Sequence, residues 1–370
     1  MRITLIINSL LGGGAERAIV LLAEGLAKLQ HQVTLITLSD SSSDFYQVPA
    51  KVSRVELGII GKSENLLEAI TNNIRRFIIL RQGVKSSQPD IVISSLRITN
   101  VSVILALLGK NYPIVVTEQN DVRVFSKGAV WETLRRLTYP WCSQVVSVSK
   151  GVDEGIDLPP SKKAVIYNPI AVKEDHTTPD LPPEVDLNKN WIVSMGRLTY
   201  QKGYDLLLPA FSKIAGKHPD WQLIILGRGE LREQLEKIKD DLNLSEQVVF
   251  TGALKNPSAV LRQGKIFVMA SRNEGFPLAH GEALACGLPV IATDCPSGPR
   301  EMIRQDLDGI LVPNRDIAAL AQAMDSLMSN EQKRQQLAMR APEVLARFGQ
   351  DKIVAEWDNL IDQLVKGKTS

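Results

Sequence analysis

The sequence is poor in the residue types that mark metal-bound or disulfide-stabilised proteins. It has three cysteines and four histidines in 370 residues, and neither set has the spacing of a metal site. Cysteines this few fit reduced thiols in a cytoplasmic protein. The formal net charge of +2 lacks the basic excess of general nucleic-acid binding, so no nucleic-acid partner is expected.

Long hydrophobic runs are also missing. No stretch reaches the roughly 20 apolar residues of a transmembrane helix, so any membrane contact would be peripheral. The apolar run at residues 1–10 is short and interrupted by Asn8, which favours a buried first strand over a signal peptide. A composition of 44% hydrophobic and 23% charged residues is typical of globular proteins, and this length favours two domains.

Short runs rich in Ile and Val alternate with longer helical patterns along the chain. Strands are predicted first at Ile3–Ile7, Val33–Leu38, Ile91–Ser94, Ile114–Thr117 and Val145–Val148. After a proline-rich stretch at 172–190, read as a linker, strands are predicted at Trp191–Met195, Leu223–Leu226, Val248–Thr251, Ile266–Ala270, Val290–Thr293 and Ile310–Val312. This alternation predicts an α/β fold of two facing, doubly wound Rossmann-like domains with a ligand in the cleft between them.

The predicted domains are an N-terminal one at 1–171 and a C-terminal one at 172–349. Apolar residues recur at helical spacing in the tail. A helix within 350–370 is therefore expected to cross back and complete the N-terminal domain. The alternative is a terminal helix on the second domain.

The segment Ser271–Glu282 is the most informative part of the chain. Gly275 and Pro277 interrupt it, so Glu274 precedes a predicted helix start and Glu282 lies inside the helix. Such a turn presents free backbone N–H groups, which bind phosphate. The two carboxylates could each bind hydroxyls, so a diphosphate joining two sugars, as in a nucleotide sugar, would fit. An ordinary helix start explains the glycine and proline but not both glutamates.

Two cations follow the first predicted strand of the second domain. Arg197 and Lys202 precede a helical pattern, and both could neutralise a diphosphate, bound or leaving. Solvated surface cations are the alternative.

Glycine-containing turns follow other predicted strands. Gly12–Gly14 joins the first strand to the first helix and would allow close approach of a ligand. Arg17 stands where a dinucleotide fingerprint needs its last glycine, which counts against a nicotinamide-dependent dehydrogenase. Gly227 and Leu254 lie in later turns that could contact a nucleotide through the backbone or be turns only.

A helical pattern in the first domain carries clustered cations. Arg75, Arg76, Arg81 and Lys85 stand among apolar residues, as in helices that bind anionic membrane surfaces. An ordinary surface helix is the alternative.

The Asp306-Leu-Asp308 triplet is read as part of a turn and not as a metal site.

Together these motifs resemble those of the retaining family 4 glycosyltransferases, which have the GT-B fold. The resemblance spans nearly the whole chain, and its most specific part is the Glu–seven residues–Glu pattern from Glu274 to Glu282. The remaining matches are Gly13–Arg17, Gly196-Arg197 with Lys202-Gly203, and Gly298–Glu301.

The resemblance implies a role for each matching residue. Glu274 would bind the donor sugar, Glu282 the ribose, and Arg197 and Lys202 the diphosphate. The remaining donor contacts would come from Gly13, Gly14, Gly227, Leu254, Gly275, Phe276, Pro277 and Leu278. No metal or other cofactor would be needed. The anomeric configuration would be retained, by a front-face route in which the leaving phosphate helps to deprotonate the acceptor.

One position departs from the family pattern. Gln119 stands where many relatives carry a histidine near the donor sugar. A glutamine can bind a hydroxyl but cannot act as an acid or base near pH 7, so a protonic role there would fall to Glu118.

The resemblance extends to bacterial enzymes that build polyprenyl-diphosphate-linked or surface saccharides. It implies transfer of a hexose or N-acetylhexosamine from a nucleoside-diphosphate sugar, uridine rather than guanosine. The enzyme would act in the cytoplasm at the inner face of the plasma membrane, with the basic helix meeting lipid. The alternatives are a nucleotide-sugar epimerase of the same fold and a non-catalytic sugar-nucleotide-binding protein.

Overall fold

The structure is a computed structural model that divides into two compact units. It describes residues 1–61, 66–126, 128–172, 179 and 181–367, with the backbone alone for 66–70. The first unit comprises Met1–Pro169 and the chain from Phe348 onward, and the second comprises Ile170–Arg347. Residues 173–178 and 180 of the predicted linker, including His176, lie outside the described residues.

The first unit is built on a parallel sheet. Its strands are β1 (Arg2–Ile7), β2 (Gln32–Thr37), β3 (Ser53–Glu56), β4 (Ile91–Ser95), β5 (Ile114–Glu118), β6 (Gln144–Ser147) and β7 (Lys163–Val165). They pair in the order β3-β2-β1-β4-β5-β6-β7. The central strands are buried on both faces, which explains their continuous Ile and Val runs.

Helices cover both faces of this sheet. They are α1 (Gly14–Lys28), α2 (Leu66–Ser86), α3 (Arg97–Ala106), α4 (Ala129–Thr138), α5 (Lys150–Asp153) and, at the end of the chain, α14 (Gln350–Lys366). The apolar side chains of α1 and α14 share one core cluster, and those of α2 and α3 contribute to another.

The second unit repeats the design. Its strands are β8 (Asn190–Met195), β9 (Trp221–Leu226), β10 (Val248–Gly252), β11 (Ile266–Met269), β12 (Val290–Asp294) and β13 (Gly309–Pro313), paired in the order β10-β9-β8-β11-β12-β13. Its helices are α6 (Tyr204–Ala215), α7 (Arg232–Asp241), α8 (Pro257–Gln263), α9 (Leu278–Ala285), α10 (Pro299–Met302), α11 (Ile317–Ser329), α12 (Glu331–Arg340) and α13 (Val344–Phe348). The two parallel-sheet units confirm the predicted α/β fold.

Helix α14 packs against α1 of the first unit. Trp357 and Ile361 are buried in the same core cluster as Leu26 of α1. Gly25 allows the close approach, because a Cβ there would lie 2.2 Å from Cγ2 of Val354.

The structure differs from the prediction in small ways. The edge strands β3 and β7 are short and half-buried, so their sequences lack the apolar runs that marked the other strands. Among the described residues, no helix has both the length and the apolar character needed to cross a bilayer.

Candidate functional site

The predicted donor residues of the second unit lie where its sheet changes winding direction. Strands β8 and β11 are neighbours, and the sheet extends from β8 through β9 on one side and from β11 through β12 on the other. In open α/β sheets the carboxyl ends of two such strands form the usual ligand-binding edge. The chain after β8 carries Lys202, and the chain after β11 carries Glu274.

Lys202 and Glu274 are in direct contact at this edge. Lys202 Nζ donates a hydrogen bond of 2.6 Å to Glu274 Oε1, and the hydroxyl of Ser271 donates to the same oxygen, also at 2.6 Å. Burial of Glu274 disfavours its charged form. The charge of Lys202 and the two hydrogen bonds outweigh that effect and lower the pKa of this carboxyl below its usual value. Glu274 is therefore an ionised carboxylate that is already partnered.

Gly203 determines where Lys202 stands. Its φ is +68°, and a Cβ at this position would lie 2.0 Å from the carbonyl oxygen of Ala270, at the end of β11. Glycine alone fits both constraints. The Lys-Gly pair of the sequence thus reflects a close approach between the chains after β8 and β11.

The start of α9 lies next to Glu274 in the chain. Gly275, Phe276, Pro277 and Leu278 are all buried, and no side chain of the described residues caps this helix start. Gly298 has φ +72°, and a Cβ there would lie 2.7 Å from the carbonyl oxygen of Gly275. The turn is therefore tightly packed at the start of α9, where the first N–H groups have no acceptor within the helix, as an anion-binding turn requires.

Glu282 and His280 are both buried on α9. Glu282 lies inside α9, in its second turn, as the pattern predicted. His280 is 1% exposed, and neither ring nitrogen has a hydrogen-bond partner among the described residues. Burial lowers the pKa of His280 to about 4, so the imidazole is neutral at physiological pH.

The ends of three neighbouring strands carry glycines at the same edge. Gly196 N donates to Leu226 O at 3.0 Å, and Gly227 N donates to Gly252 O at 2.9 Å. A Cβ on Gly227 would lie 1.9 Å from Gly196 O, so position 227 requires glycine. Arg197 is exposed beside them, and Leu254 is half-buried after β10.

The predicted donor residues of the first unit also follow strand ends. Gly13 is the N-cap of α1, and Gly14 is its first residue. The amide oxygen of Gln119 accepts a 2.9 Å hydrogen bond from Asn168. Gln119 and Asn168 line a cavity of about 20 Å³ together with Ser95.

Glu118 is not placed to act as an acid or base instead of the histidine that Gln119 replaces. The side chain is 2% exposed, accepts a hydrogen bond from the hydroxyl of Tyr139, and lies 3.6 Å from Arg97. Burial raises its pKa. The carboxyl belongs to an internal network, and sequence reasoning missed this network because its members lie far apart in the chain.

The basic helix presents most of its predicted cations outward. Arg75, Arg81 and Lys85 are exposed on α2, whereas Arg76 is half-buried and donates to the carbonyl of Gly61. Ile74 and Ile78 are also more than half exposed, at 54% and 52%.

Helix α4 keeps one of its cations inside the unit. Arg135 of this helix and Tyr139, which follows it, are buried. Arg135 pairs with Glu132 at 3.1 Å, so its charge is used inside the unit.

The two aspartates of the Asp306-Leu-Asp308 triplet lie in different places, one in a buried ion-pair network and one in a turn. Asp308 is fully buried and pairs with Arg304 at 2.6 Å and Arg347 at 3.4 Å. Asp306 is exposed in the turn before β13.

Comparison with known proteins identifies the family. The family model described as "Glycosyltransferase Family 4" matches residues 12–174, and the one described as "Glycosyl transferases group 1" matches residues 181–344. A Campylobacter jejuni protein named GalNAc-alpha-(1->4)-GalNAc-alpha-(1->3)-diNAcBac-PP-undecaprenol alpha-1,4-N-acetyl-D-galactosaminyltransferase is 28% identical over 98% of this chain and 99% of its own. The amylovoran biosynthesis glycosyltransferase AmsD of Erwinia amylovora is 27% identical over 95% of this chain and 96% of its own.

Solved structures show the same fold at lower sequence identity. HepE of Anabaena, in complex with UDP and glucose, has a TM-score of 0.79 with 18% identity over 98% of this chain and 99% of that one. TarM of S. aureus, in a complex that includes UDP, has a TM-score of 0.79 with 13% identity over 98% of this chain and 100% of that one. The chain therefore belongs to the GT-B glycosyltransferases, with a family 4 N-terminal region and a group 1 C-terminal region.

Proposed function

We propose that this glycosyltransferase moves a hexose or N-acetylhexosamine from a UDP-sugar to a saccharide or polyprenyl-diphosphate-linked acceptor in cell-surface glycan assembly. The anomeric configuration is retained, and no metal ion or other cofactor takes part. The observation that carries the proposal is the Lys202–Glu274 contact beside the uncapped start of α9. It brings a cation and a carboxylate next to the N-terminal backbone N–H groups of α9 at one ligand-binding edge.

Each residue has a role in this proposal. Glu274 accepts hydrogen bonds from hydroxyls of the transferred sugar, and Glu282 accepts them from the ribose. Lys202 and the exposed Arg197 neutralise the diphosphate, whose negative charge grows as it leaves. Backbone N–H groups of the Gly275–Leu278 turn, except at Pro277, which has none, donate hydrogen bonds to the same group.

The remaining donor contacts are secondary. Gly227 and Leu254 border the nucleotide, while Gly13 and Gly14 border the donor from the first unit. Gln119 binds a sugar hydroxyl through an amide that cannot exchange protons near pH 7. The acceptor proton therefore passes to the leaving phosphate in this account.

The names of similar proteins support the substrate classes. The Campylobacter jejuni relative is named for an undecaprenol-diphosphate-linked acceptor, and the HepE structure contains UDP. Exposed isoleucines among cations on α2 suit an anionic lipid surface, because apolar side chains enter the acyl boundary and cations bind headgroups. We therefore place the enzyme in the cytoplasm, at the inner face of the plasma membrane.

The experiment is a donor screen followed by a transfer assay. Thermal shift with UDP-, GDP- and dTDP-sugars identifies donors, because a ligand that binds only the native state raises the melting temperature. Transfer to saccharides and to a polyprenyl-diphosphate-linked saccharide is then measured by mass spectrometry with and without EDTA, and the product anomer by NMR.

We expect UDP-sugar binding, and sugar transfer that resists EDTA and retains the anomeric configuration. Loss of transfer that Mg²⁺ restores contradicts the metal-free mechanism. Donor epimerisation without an acceptor indicates the epimerase instead, and tight donor binding without turnover indicates a non-catalytic binding protein.

A further inference from the structure

Two short segments of the second unit lie side by side around the Lys202–Glu274 contact. Arg272 N donates to Gln201 O at 2.8 Å, and the side-chain amide of Gln201 donates to Asn273 O at 3.0 Å. These bonds align the chain after β8 with the chain after β11, so that residue 272 faces residues 200 and 201 while Glu274 faces Lys202.

The guanidinium of Arg272 fixes this alignment at several points. It donates to the carbonyl oxygen of Tyr200 at 2.7 Å and to the two carboxylate oxygens of Asp205 at 2.8 and 2.7 Å. Its central carbon lies 3.8 Å from the centre of the Tyr200 ring. The side chain is 7% exposed, and the hydrogen bonds to Asp205 raise the pKa of Arg272.

The two partners of Arg272 flank Lys202 in the chain. Tyr200 comes two residues before Lys202, and Asp205 comes three residues after it, in the first turn of α6. One planar guanidinium thus holds the backbone on both sides of the lysine. In the segment after β11, Arg272 stands two residues before Glu274.

We propose that Arg272 is a positioning residue that sets Lys202 against Glu274 for donor binding and transfer. This inference rests on the proposed function and assigns a role outside the donor contacts themselves. A lysine at 272 would keep the charge but lose the forked geometry and the planar stacking that satisfy Tyr200 and Asp205 together. Lys202 would then be free to leave its present place, and a displacement of about 1 Å can cost roughly 100-fold in rate.

The test measures transfer kinetics for Arg272→Lys, Asp205→Asn and the double variant. We expect each single variant to lose about 10- to 100-fold in kcat/KM for the donor, with most of the loss in kcat. The double variant should be no slower than the slower single one, because both changes break the same clamp.

A second cycle separates positioning from folding. In a Glu274→Gln background, Arg272→Lys should lower the residual rate less than about threefold, because the contact it aligns has already been changed. A residue that acts only on the fold would lower both backgrounds by the same factor.

Arg334→Lys is the matched control. Arg334 also donates to backbone carbonyls and lies 5.1 Å from an aromatic ring, but that ring belongs to Trp221, at the start of β9 and the opposite edge of the sheet. This variant should keep wild-type kinetics.

The outcomes distinguish the inference from the function. If the wild type is active and Arg272→Lys is equally active, the positioning role is overturned while the proposed function stands. The same holds if Arg272→Lys lowers the rate by the same factor in the Glu274→Gln background as in the wild type. A wild type that transfers no sugar from any nucleotide sugar contradicts the proposed function, and the role of Arg272 fails with it.

Discussion

Lys202 Nζ lies 2.6 Å from Glu274 Oε1, and this contact joins the chains that follow β8 and β11. The side chains are 15% and 7% exposed, so each charge depends on the other for compensation. The same two residues are proposed to bind the donor. The same contact is therefore expected to affect both stability and activity, and mutations can separate the two effects.

Removing one charge of this contact should destabilise the protein. Lys202→Met leaves Glu274 as a buried carboxylate with Ser271 as its remaining hydrogen-bond donor in the present geometry. We expect the free energy of unfolding to fall by about 3 kcal/mol. Urea denaturation of the variant, followed by fluorescence, measures the change, and stability equal to that of the wild type would refute the compensation.

Removing both charges should restore stability without restoring activity. In Lys202→Met/Glu274→Gln no buried charge is left unpaired, so most of the lost free energy of unfolding should return. Sugar transfer should stay at least about 100-fold below the wild type, because one of the two cations proposed for the diphosphate and the carboxylate proposed for the donor sugar are missing. A double variant that recovers the transfer rate would rule out the proposed roles.

Gly203 should not tolerate a side chain, whereas Gly216 should. Both flank α6, but Gly203 has φ +68° and a Cβ there would meet Ala270 O, while Gly216 has φ −65° and open space around it. Gly203→Ala should lower the melting temperature markedly and reduce transfer, since it displaces Lys202. Gly216→Ala should be neutral or stabilise by up to about 1 kcal/mol. Similar melting curves for the two variants would contradict the close approach.

His280 should make the protein sensitive to acid. Its pKa is about 4 in the folded protein and about 6.5 when unfolded, so the unfolded chain binds more protons between these values. Stability is therefore unaffected above about pH 6.5, falls as the pH decreases, and has lost about 3 kcal/mol from this group near pH 4.

Replacing His280 isolates this contribution. His280→Leu should match or exceed wild-type stability at pH 7.5, because it removes a buried ring with no hydrogen-bond partner in the described part of the chain. The advantage of the variant should grow as the pH falls from 6.5 to 4.5, measured by urea denaturation at each pH. A constant difference across that range would show that His280 is not buried and neutral.

Helix α2 should bind anionic lipid through its exposed face. Ile74→Ser/Ile78→Ser should weaken binding to vesicles that contain phosphatidylglycerol by about tenfold in a sedimentation assay. Binding of the wild type should also weaken as salt rises, because the headgroup contacts are electrostatic. Met339→Ser, which changes an exposed residue of the second unit, is the control. Equal binding by the α2 variant and the wild type would exclude this surface.

The fold and much of the site could be predicted from the sequence because both depend on local patterns. Apolar runs marked the buried strands, and chain order then placed Lys202 and Glu274 after strands whose ends share an edge. The edge strands β3 and β7 were not predicted, because half-buried strands lack such apolar runs.

Contacts between distant residues could not be read from the sequence. Nothing in the spacing shows that Arg272 meets Asp205, or that Glu118 is enclosed by Arg97 and Tyr139. The spacing likewise does not show that His280 is buried with no hydrogen-bond partner among the described residues.

The transfer rate of Glu274→Gln tests the central claim most directly. Glutamine keeps the shape of the side chain and a hydrogen-bond acceptor for Lys202 and Ser271. The fold should therefore persist, at a lower free energy of unfolding, while the charge that binds the donor sugar is lost. With a UDP-sugar and a polyprenyl-diphosphate-linked acceptor, we predict a rate at least about 100-fold below the wild type. Glu331→Gln, at the exposed start of α12, should transfer normally. A Glu274→Gln enzyme as fast as the wild type would contradict the assignment of this edge as the donor site.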